Sequence, residues 1–548
     1  MKHLPLQGSK GLAMEYRRRR RQRARRDSGI CVAIAVTLLV SLASITVAPA
    51  AALGSECWDG ALSDVDGGGP DIIVGLPSYD LPGMPGAGAL LVFSNMMEEG
   101  KVDPMPPANI TLLTADDISG LRSQAGARFG SSVVVWRDTA FDDDDHCADL
   151  LVGAPGQNVD GVSGAGEVYL IHGTNSGPEE VKSIFNESNL TGTGGAQAGA
   201  AFGSSLAAET MQTIAIGVPR RDIGAAVDAG RVVRLDYLNS PDPTPTIIEQ
   251  GGAGVDSPEP DDLFGEVLDL MPNVAGPVLL VGVPHEDIGP NTDAGAVGLA
   301  RRAGTLSMVT QDSPGAGGVA EPGDRYGAAL DGFSTMIDHP VGLVAIGVPG
   351  EDVAGAADAG AVSYAAFDLS AGPNRNAVSL TGLARTLTQG MLGVPDIAEA
   401  GDEFGATVLV GEFGRSKGVL DLVVGAPLED LGGIADAGVV SITPIHRDGS
   451  FDRGRRPASW SGNAGAFGSP QAGDQFGTML SSLELSTPVD SQDLELLAAI
   501  MTVPGKDIGM VADAGMAYLG SSPGGSLPLT ATIGQAGAGR GMVPMKMG

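Results

Sequence analysis

Basic residues are scarce in this sequence. Its 548 residues include 33 Lys and Arg against 66 Asp and Glu, a formal net charge of −33. Residues 1–52 hold ten of the basic and two of the acidic residues, so the remainder has 23 basic and 64 acidic residues, a charge near −41. A phosphate backbone requires clustered positive charge, so nucleic acid is not expected as a partner. The charge fits cation binding, a basic partner or solubility alone.

Aromatic residues are also few, at 4%, whereas Gly (83) and Pro (36) are abundant. This balance suits many short strands joined by tight turns. Hydrophobic residues still make up 43% of the chain, which is enough to bury a core. The glycine content therefore does not indicate disorder.

Recognisable catalytic motifs are missing. No Gly-x-Ser-x-Gly nucleophile elbow occurs. The histidines beyond the N-terminal segment are scattered along the chain without metal-ligand spacing. They are His146, His172, His285, His339 and His446. The sequence thus favours a binding protein over an enzyme.

The first 52 residues have the order of an export signal. A basic run from Arg17 to Arg26 precedes an apolar stretch from Ile30 to Val47, and small residues follow from Ala48 to Ala52. This order predicts a signal peptide over residues 1–52. The alternative is an uncleaved membrane anchor, because the apolar stretch approaches the about 20 residues that span a bilayer.

Only three cysteines are present, and Cys31 lies inside the predicted signal. Cys57 and Cys147 remain as an even pair in a chain expected to be exported. Such a pair favours one disulfide over a metal-binding or catalytic role.

A short apolar run that ends in Gly-x-Pro recurs along the rest of the chain. The first copy is Gly75-Leu76-Pro77, and Thr502-Val503-Pro504 is a degenerate seventh copy. The seven prolines lie at positions 77, 155, 219, 284, 349, 427 and 504, which are 64 to 78 residues apart. This spacing holds one four-stranded sheet with its loops.

Two further motifs accompany these copies. An Ala-Gly pair and another apolar run follow each of them, and an aromatic residue before Gly precedes six of them. The aromatic residues are Phe129, Phe202, Phe264, Tyr326, Phe404 and Phe476. The first repeat lacks this motif, whereas Gln535–Gly541 matches Gln471–Gly477 with Arg540 in place of the aromatic. The chain therefore begins and ends within a repeat, as in a propeller closed by its two terminal segments.

In this order the motifs resemble the FG-GAP repeat of integrin α-subunit propellers and of related bacterial exported proteins, over about residues 57–541. The resemblance implies an all-β fold, a closed seven-bladed β-propeller of four-stranded antiparallel blades over residues 53–548. In each repeat Gly permits close backbone approach, Pro ends the strand and the aromatic packs between blades.

FG-GAP hairpins between the aromatic-Gly strand and the Gly-x-Pro strand can carry an Asp-rich loop that binds calcium, because Ca²⁺ prefers six to eight hard oxygens. In the second repeat, Asp143, Asp145 and Asp149 match the ligand positions. Phe141 replaces the first Asp, for which Asp138 or Asp142 could substitute, and His146 replaces the loop Gly. We predict that this loop is a better metal site than the loop of the first repeat.

The first repeat has a shorter version of the same loop. Asp64, Asp66 and Asp71 match it with one residue deleted, and Gly68 replaces the third carboxylate. A plain polar turn is the alternative interpretation. The other hairpins lack the motif, so we expect one or two calcium sites.

A second acidic set follows the Gly-x-Pro motifs. In the resembled fold these loops line the face that meets ligands. The alternative is that each Asp caps its own turn by accepting hydrogen bonds from nearby backbone N–H groups. The set comprises Asp222, Asp228, Glu286, Asp287, Asp293, Glu351, Asp352, Asp358, Glu429, Asp430, Asp436, Asp507 and Asp513.

The resemblance predicts a secreted or cell-surface adhesion or binding module, stabilised by calcium, and not an enzyme. Its partner would be an extracellular protein or glycan, and the chain would be a monomer that meets a membrane only through an uncleaved N-terminal segment. Fold resemblance alone is weak support for function. A secreted hydrolase that uses the propeller face or channel, and a passive envelope component, are the alternatives.

Overall fold

The structure is a computed structural model, and its described part lies within the compact unit Val36–Gly548. The described residues are 57, 64–67, 71–94, 109–136, 147–190, 192–209, 213–236, 245–251, 257–273, 276–301, 306–316, 318–334, 341–368, 379–380, 384–413, 419–446, 448–452, 454–461, 469–484, 497–507, 516–520, 543–544 and 546–547. The predicted signal over residues 1–52 lies outside them. Within them, no helix has the length and apolar character needed to cross a membrane.

This part of the chain is all-β, apart from two short 3-10 turns at Ala115–Asp117 and Met391–Gly393. Successive strands pair antiparallel with their neighbours in sequence and form one sheet after another. The first three sheets contain β1 (Ile72–Leu76), β2 (Ala89–Ser94) and β3 (Asn109–Leu113); then β4 (Ser132–Trp136), β5 (Asp149–Ala154), β6 (Glu167–His172) and β7 (Glu180–Phe185); then β8 (Leu206–Glu209), β9 (Thr213–Val218), β10 (Arg231–Asp236) and β11 (Pro245–Ile248).

Four more sheets follow in the described residues. They contain β12 (Val267–Met271), β13 (Val278–Val283), β14 (Ala296–Ala300) and β15 (Leu306–Val309); β16 (Ala329–Phe333), β17 (Val341–Val348), β18 (Ala361–Asp368), β19 (Ser379–Leu380) and β20 (Arg385–Leu387); β21 (Thr407–Gly411), β22 (Val419–Ala426), β23 (Val439–His446) and β24 (Ala458–Trp460); and β25 (Leu480–Glu484), β26 (Leu497–Val503) and β27 (Met516–Gly520). Repeated four-stranded antiparallel sheets confirm the predicted all-β class and are consistent with a β-propeller.

The sequence motifs lie at the strand ends where they were predicted. In the second sheet, β5 ends at Gly153 and Ala154, directly before Pro155, and β6 begins after Gly166. Proline lacks the N–H that a ladder needs, so it ends the strand. Both strands are apolar runs, and β5 is buried throughout.

The core lies between successive sheets. For example, one buried cluster joins Leu280 and Leu299 of the fourth sheet to Val344 and Ile346 of the fifth. The aromatic residues of the repeats are 0–2% exposed, as a position between two sheets requires. Burial of this apolar surface is the main favourable term in folding.

Glycine pairs allow neighbouring sheets to approach closely. A Cβ added to Gly347, in the Gly-x-Pro motif of the fifth repeat, would lie 2.0 Å from the carbonyl oxygen of Gly405 in the next aromatic-Gly motif. The corresponding distance from Gly153 to Gly203 would be 2.1 Å. Only a residue without Cβ fits such a contact, which explains why both motifs contain glycine.

Two short C-terminal strands pair with the first two sheets. β28 (Val543–Pro544) pairs antiparallel with β1, at the edge where the other sheets have their first strand. β29 (Lys546–Met547) adds in parallel to β4. The Gln535–Gly541 segment, predicted to complete the first repeat, lies outside the described residues.

Cys57 and Cys147 form the predicted disulfide, with 5.1 Å between their Cα atoms. The bond joins segments 90 residues apart, the start of the first repeat and the strand entry of the second. Beside it, the Ala148 N–H donates a 2.7 Å hydrogen bond to the Asp64 carbonyl oxygen. Disulfides persist in oxidising compartments, which agrees with an exported protein.

Candidate metal centre

Three carboxylates of the first repeat converge on one point. Asp64 and Asp66 lie in the turn before β1, and Asp71 directly precedes that strand. One oxygen from each lies within 4.8 Å of the others. Asp64 and Asp71 are fully buried, and Asp66 is half-buried. In the described part of the chain this is the one group of three or more His, Cys, Asp or Glu side chains whose ligand atoms lie that close together.

Backbone N–H groups hold two of these carboxylates in place. The Asp64 Oδ1 accepts a 2.8 Å hydrogen bond from Gly67 N–H, and the Asp71 Oδ2 accepts one of 2.7 Å from Val65 N–H. Gly67 has a positive φ of 79°, which reverses the chain at low cost because glycine lacks Cβ. The turn thus brings together carboxylates from both of its ends.

Asp66 has an oxygen that the rest of this site leaves unused. Its Oδ2 accepts a hydrogen bond from the Ser94 hydroxyl at the end of β2, whereas its buried Oδ1 has no hydrogen-bond partner among the described residues. Burial raises the pKa of the Asp66 carboxyl above its ordinary value, and the Ser94 hydrogen bond partly offsets the rise. A cation at this oxygen would compensate the buried charge.

The donor set fits a calcium ion. Calcium–oxygen bonds are about 2.3–2.6 Å long, so two ligands of one ion are separated by at most about 5 Å. The 4.8 Å limit on the three carboxylate oxygens meets that condition. Asp64, Asp66 and Asp71 would hold the ion, with the remaining ligands supplied by water or backbone carbonyls.

The second-repeat loop is described only in part. Asp142, Asp143 and Asp145 lie outside the described residues, so their role as ligands stays a prediction. Asp149 is buried, and Lys182 Nζ lies 3.0 Å from its Oδ2. Its Oδ1 is 3.2 Å from His172 Nδ1 and accepts a 3.1 Å hydrogen bond from Gly173 N–H. Burial raises the pKa of Asp149, and Lys182 opposes that rise.

In the first six repeats, the Asp or Asn three residues after the proline caps the post-proline loop. The Asp430 Oδ1 accepts a 2.9 Å hydrogen bond from the N–H six residues later, that of Asp436. The same contact recurs with acceptors Asp80, Asn158, Asp222, Asp287 and Asp352. The capping alternative raised from the sequence therefore holds for these positions.

In the third to sixth repeats, the aspartate six residues after the capping residue has a different role. Asp436 has a positive φ of 50°, and its carbonyl oxygen accepts a 3.0 Å hydrogen bond from Gln475 N–H in the segment leading into the next sheet. Asp293, Asp358 and Asp436 are exposed, and Asp228 is half-buried. Asp352, Asp430 and Asp507 add exposed carboxylates, while Asp513 lies outside the described residues.

Glu286, Glu351 and Glu429 are less exposed than a ligand-binding surface requires: Glu286 and Glu429 are buried, and Glu351 is half-buried. Each instead accepts a hydrogen bond from a glutamine that follows the last strand of the preceding sheet, for Glu351 from Gln311 Nε2 at 2.6 Å. Sequence reasoning missed these glutamines. Their regular position before the aromatic-Gly motifs of Phe264, Tyr326 and Phe404 was the available signal.

Comparison with known proteins adds a structural similarity. No protein-family model and no curated protein matches the sequence. Among solved structures, the chain is similar to a periplasmic gluconolactonase of Pseudomonas aeruginosa, with 11% identity, a TM-score of 0.42, and coverage of 86% of this chain and 99% of that one.

Proposed function

We propose that this protein is an exported, closed seven-bladed propeller of the FG-GAP type that acts as a calcium-stabilised extracellular binding module. The observation that carries the proposal is the repeated acidic loop. Loops of one geometry recur in successive sheets, and they expose carboxylates that cap no turn, here called the tip carboxylates: Asp358, Asp436 and Asp293, the last of which pairs with His285 of its own loop.

Closure is supported by the position of β28. The first sheet takes its fourth strand from the C-terminus, through the pairs Val74 with Pro544 and Gly75 with Val543. A ring completed this way has no open edge between its first and last blades. Closure would keep the loops in a fixed arrangement, as a multivalent binding surface requires.

The loop tips select the class of partner. In the first six sheets the loop between the second and third strands occupies the same topological position, and each of these described loops contacts the segment leading to the next sheet. Their summed negative charge attracts positively charged groups and raises association rates. The partner is therefore an extracellular protein or glycan with a basic or cationic patch.

A binding array of extracellular proteins and glycans, probed with the secreted chain, tests this function. The variant D293N/D358N/D436N removes three tip charges without touching the capping residues. A matched control, E179Q/E180Q/E259Q, removes three exposed charges elsewhere. We expect salt-sensitive binding of cationic ligands by the wild type and the control, and at least tenfold weaker binding by the tip variant. Equal binding by all three proteins would reject the proposal.

A further inference from the structure

A buried pair of carboxyl groups lies at the start of the sixth sheet. Asp402 is 2% exposed and Glu429 is fully buried, and the two side chains lie within hydrogen-bonding reach of each other. Gln389 Nε2 donates to the Glu429 Oε2, and the Asp402 Oδ2 accepts a 2.7 Å hydrogen bond from Glu399 N–H. Neither Glu429 Oε1 nor Gln389 Oε1 has a hydrogen-bond partner in the portion of the chain that is described.

The same three residue types recur in the fifth sheet. Gln311 Nε2 donates to Glu351 Oε2 at 2.6 Å, and Asp324 Oδ2 accepts a 2.7 Å hydrogen bond from Glu321 N–H. The Gln311 Oε1 is buried and unpaired among the described residues. Gln250, Asp262 and Glu286 form the corresponding group of the fourth sheet. The arrangement is therefore built into three consecutive repeats.

The seventh repeat shows what this pocket contains when the protein itself supplies a cation. Asp474 corresponds to Asp402, and Lys506 takes the place of Glu429. The Lys506 Nζ lies 2.8 Å from the Asp474 Oδ2 and 2.6 Å from the Ser469 carbonyl oxygen. Lys506 is only 7% exposed. Its buried ammonium group thus neutralises the Asp474 carboxylate.

Repeats without the aspartate also lack the acidic pair. Ala200 stands at the Asp402 position in the third repeat, where Arg221 replaces the glutamate. Ala127 and Gln157 occupy the two positions in the second repeat. Buried like charges are costly, so an Asp–Glu pair needs a bound cation or a shared proton; repeats two and three lack the pair, and repeat seven supplies Lys506 instead.

We infer that the Gln389–Asp402–Glu429 pocket, and its two counterparts in the fourth and fifth sheets, each bind a divalent, oxygen-seeking cation. Two carboxylates neutralise such an ion, and the glutamine oxygen that has no partner among the described residues in each pocket, joined by Glu429 Oε1 in the sixth sheet, is a hard ligand of the kind that calcium prefers. These sites are separate from the Asp64 centre, which lies in the first repeat. They link each Gly-x-Pro loop to the segment entering its own sheet.

Calcium binding to a protein that lacks the first-repeat centre tests this inference. In a D64N/D66N/D143N/D145N background, which also removes the predicted second-repeat site, we expect calcium titration after chelator treatment to give three remaining equivalents from these pockets, and two after E429K is added. E429K copies the lysine of the seventh repeat, so it should fold and should raise the melting temperature measured in chelator. The control E399Q, an exposed carboxylate of the same loop, should leave the stoichiometry unchanged.

Two outcomes would overturn the inference. One is a D64N/D66N/D143N/D145N protein that binds no calcium. The other is an E429K variant that gains stability in chelator but loses no calcium equivalent, which would mean that the carboxyl pair holds a shared proton. If E429K does not fold, E429Q gives the same stoichiometric test. Loss of calcium binding by the tip variant D293N/D358N/D436N is not expected, so this result stays independent of the proposed ligand-binding function.

Discussion

The Asp430 carboxylate accepts a 2.9 Å hydrogen bond from the Asp436 N–H, and this contact across six residues closes the loop of the sixth repeat. Between these two residues, Leu431 pairs with Ile434 across a two-residue turn. One acidic residue thus holds the loop and the other is presented at its surface. The two roles can be separated by mutation.

Replacing Asp430 by Ala is expected to lower the free energy of unfolding by about 1–2 kcal/mol, because the Asp436 N–H loses a charged acceptor. D430N keeps an acceptor oxygen and should cost less. D436N should leave stability within about 0.5 kcal/mol, since its exposed side chain caps nothing in the loop. Urea unfolding of the three variants checks this order, and equal losses for D430A and D436N would contradict it.

The glycine contacts between sheets predict a larger loss of unfolding free energy than the loop substitutions do. G347A places a Cβ 2.0 Å from the Gly405 carbonyl oxygen, so neighbouring sheets must separate. We expect a loss of about 3 kcal/mol or failure to fold. Gly432 lies in the turn of the sixth-repeat loop with open space around it, and Asn tolerates its positive φ, so G432N is a suitable control. A stable G347A protein in thermal unfolding would refute the close approach.

The repeat positions could be predicted from sequence because their causes are local. Gly347 must approach a neighbouring backbone and proline must end a strand, and both constraints leave fixed residue types at fixed spacing. The pairing of Asp402 with Glu429 could not be predicted. The two residues are 27 positions apart, and only the fold determines that their side chains meet.

The Asp64–Asp66–Asp71 centre also could not be ranked correctly from sequence alone. The Asp64, Asp66 and Asp71 pattern looked weaker than that of the second repeat, because a ligand position had been lost. The turn at Gly67 nevertheless brings all three carboxylates together. By contrast, Asp149 fits the motif in sequence, but Lys182 and His172, which belong to other strands, contact its carboxylate.

Removing the disulfide should weaken both the fold and the candidate metal centre. The C57S/C147S variant frees a 90-residue loop, and we expect a loss of about 4 kcal/mol in unfolding free energy. Cys147 directly precedes Ala148, whose N–H donates a hydrogen bond to the Asp64 carbonyl oxygen. Because the disulfide helps to hold this contact in place, the calcium affinity of the Asp64 centre should also fall. Chemical denaturation with and without calcium measures both effects. Unchanged stability after the double substitution would contradict a structural role for the bond.

Asp421 should contribute a pH-dependent term to stability. Burial raises its pKa from 3.8 to about 6 even though Arg455 lies 3.3 Å away. The folded state therefore keeps this proton to higher pH than the unfolded chain. Its stabilising contribution is complete below about pH 4 and is lost as pH rises through about 6.

Comparison with D421N isolates this term, because the asparagine does not titrate. Between pH 4 and about pH 6, the wild type should lose more unfolding free energy than the variant, as measured by urea unfolding at each pH. Parallel pH profiles for the two proteins would show that Asp421 titrates normally.

Calcium-dependent thermal unfolding of wild type and D66N tests the calcium-stabilised propeller most directly. Asp66 carries the unpaired buried oxygen of the Asp64–Asp66–Asp71 site, so D66N should remove the calcium equivalent bound there and reduce the calcium-induced rise in melting temperature. D160N, an exposed aspartate of the second repeat, should respond like the wild type. A wild-type melting temperature that millimolar calcium leaves unchanged, or an equal rise in D66N, would contradict the account.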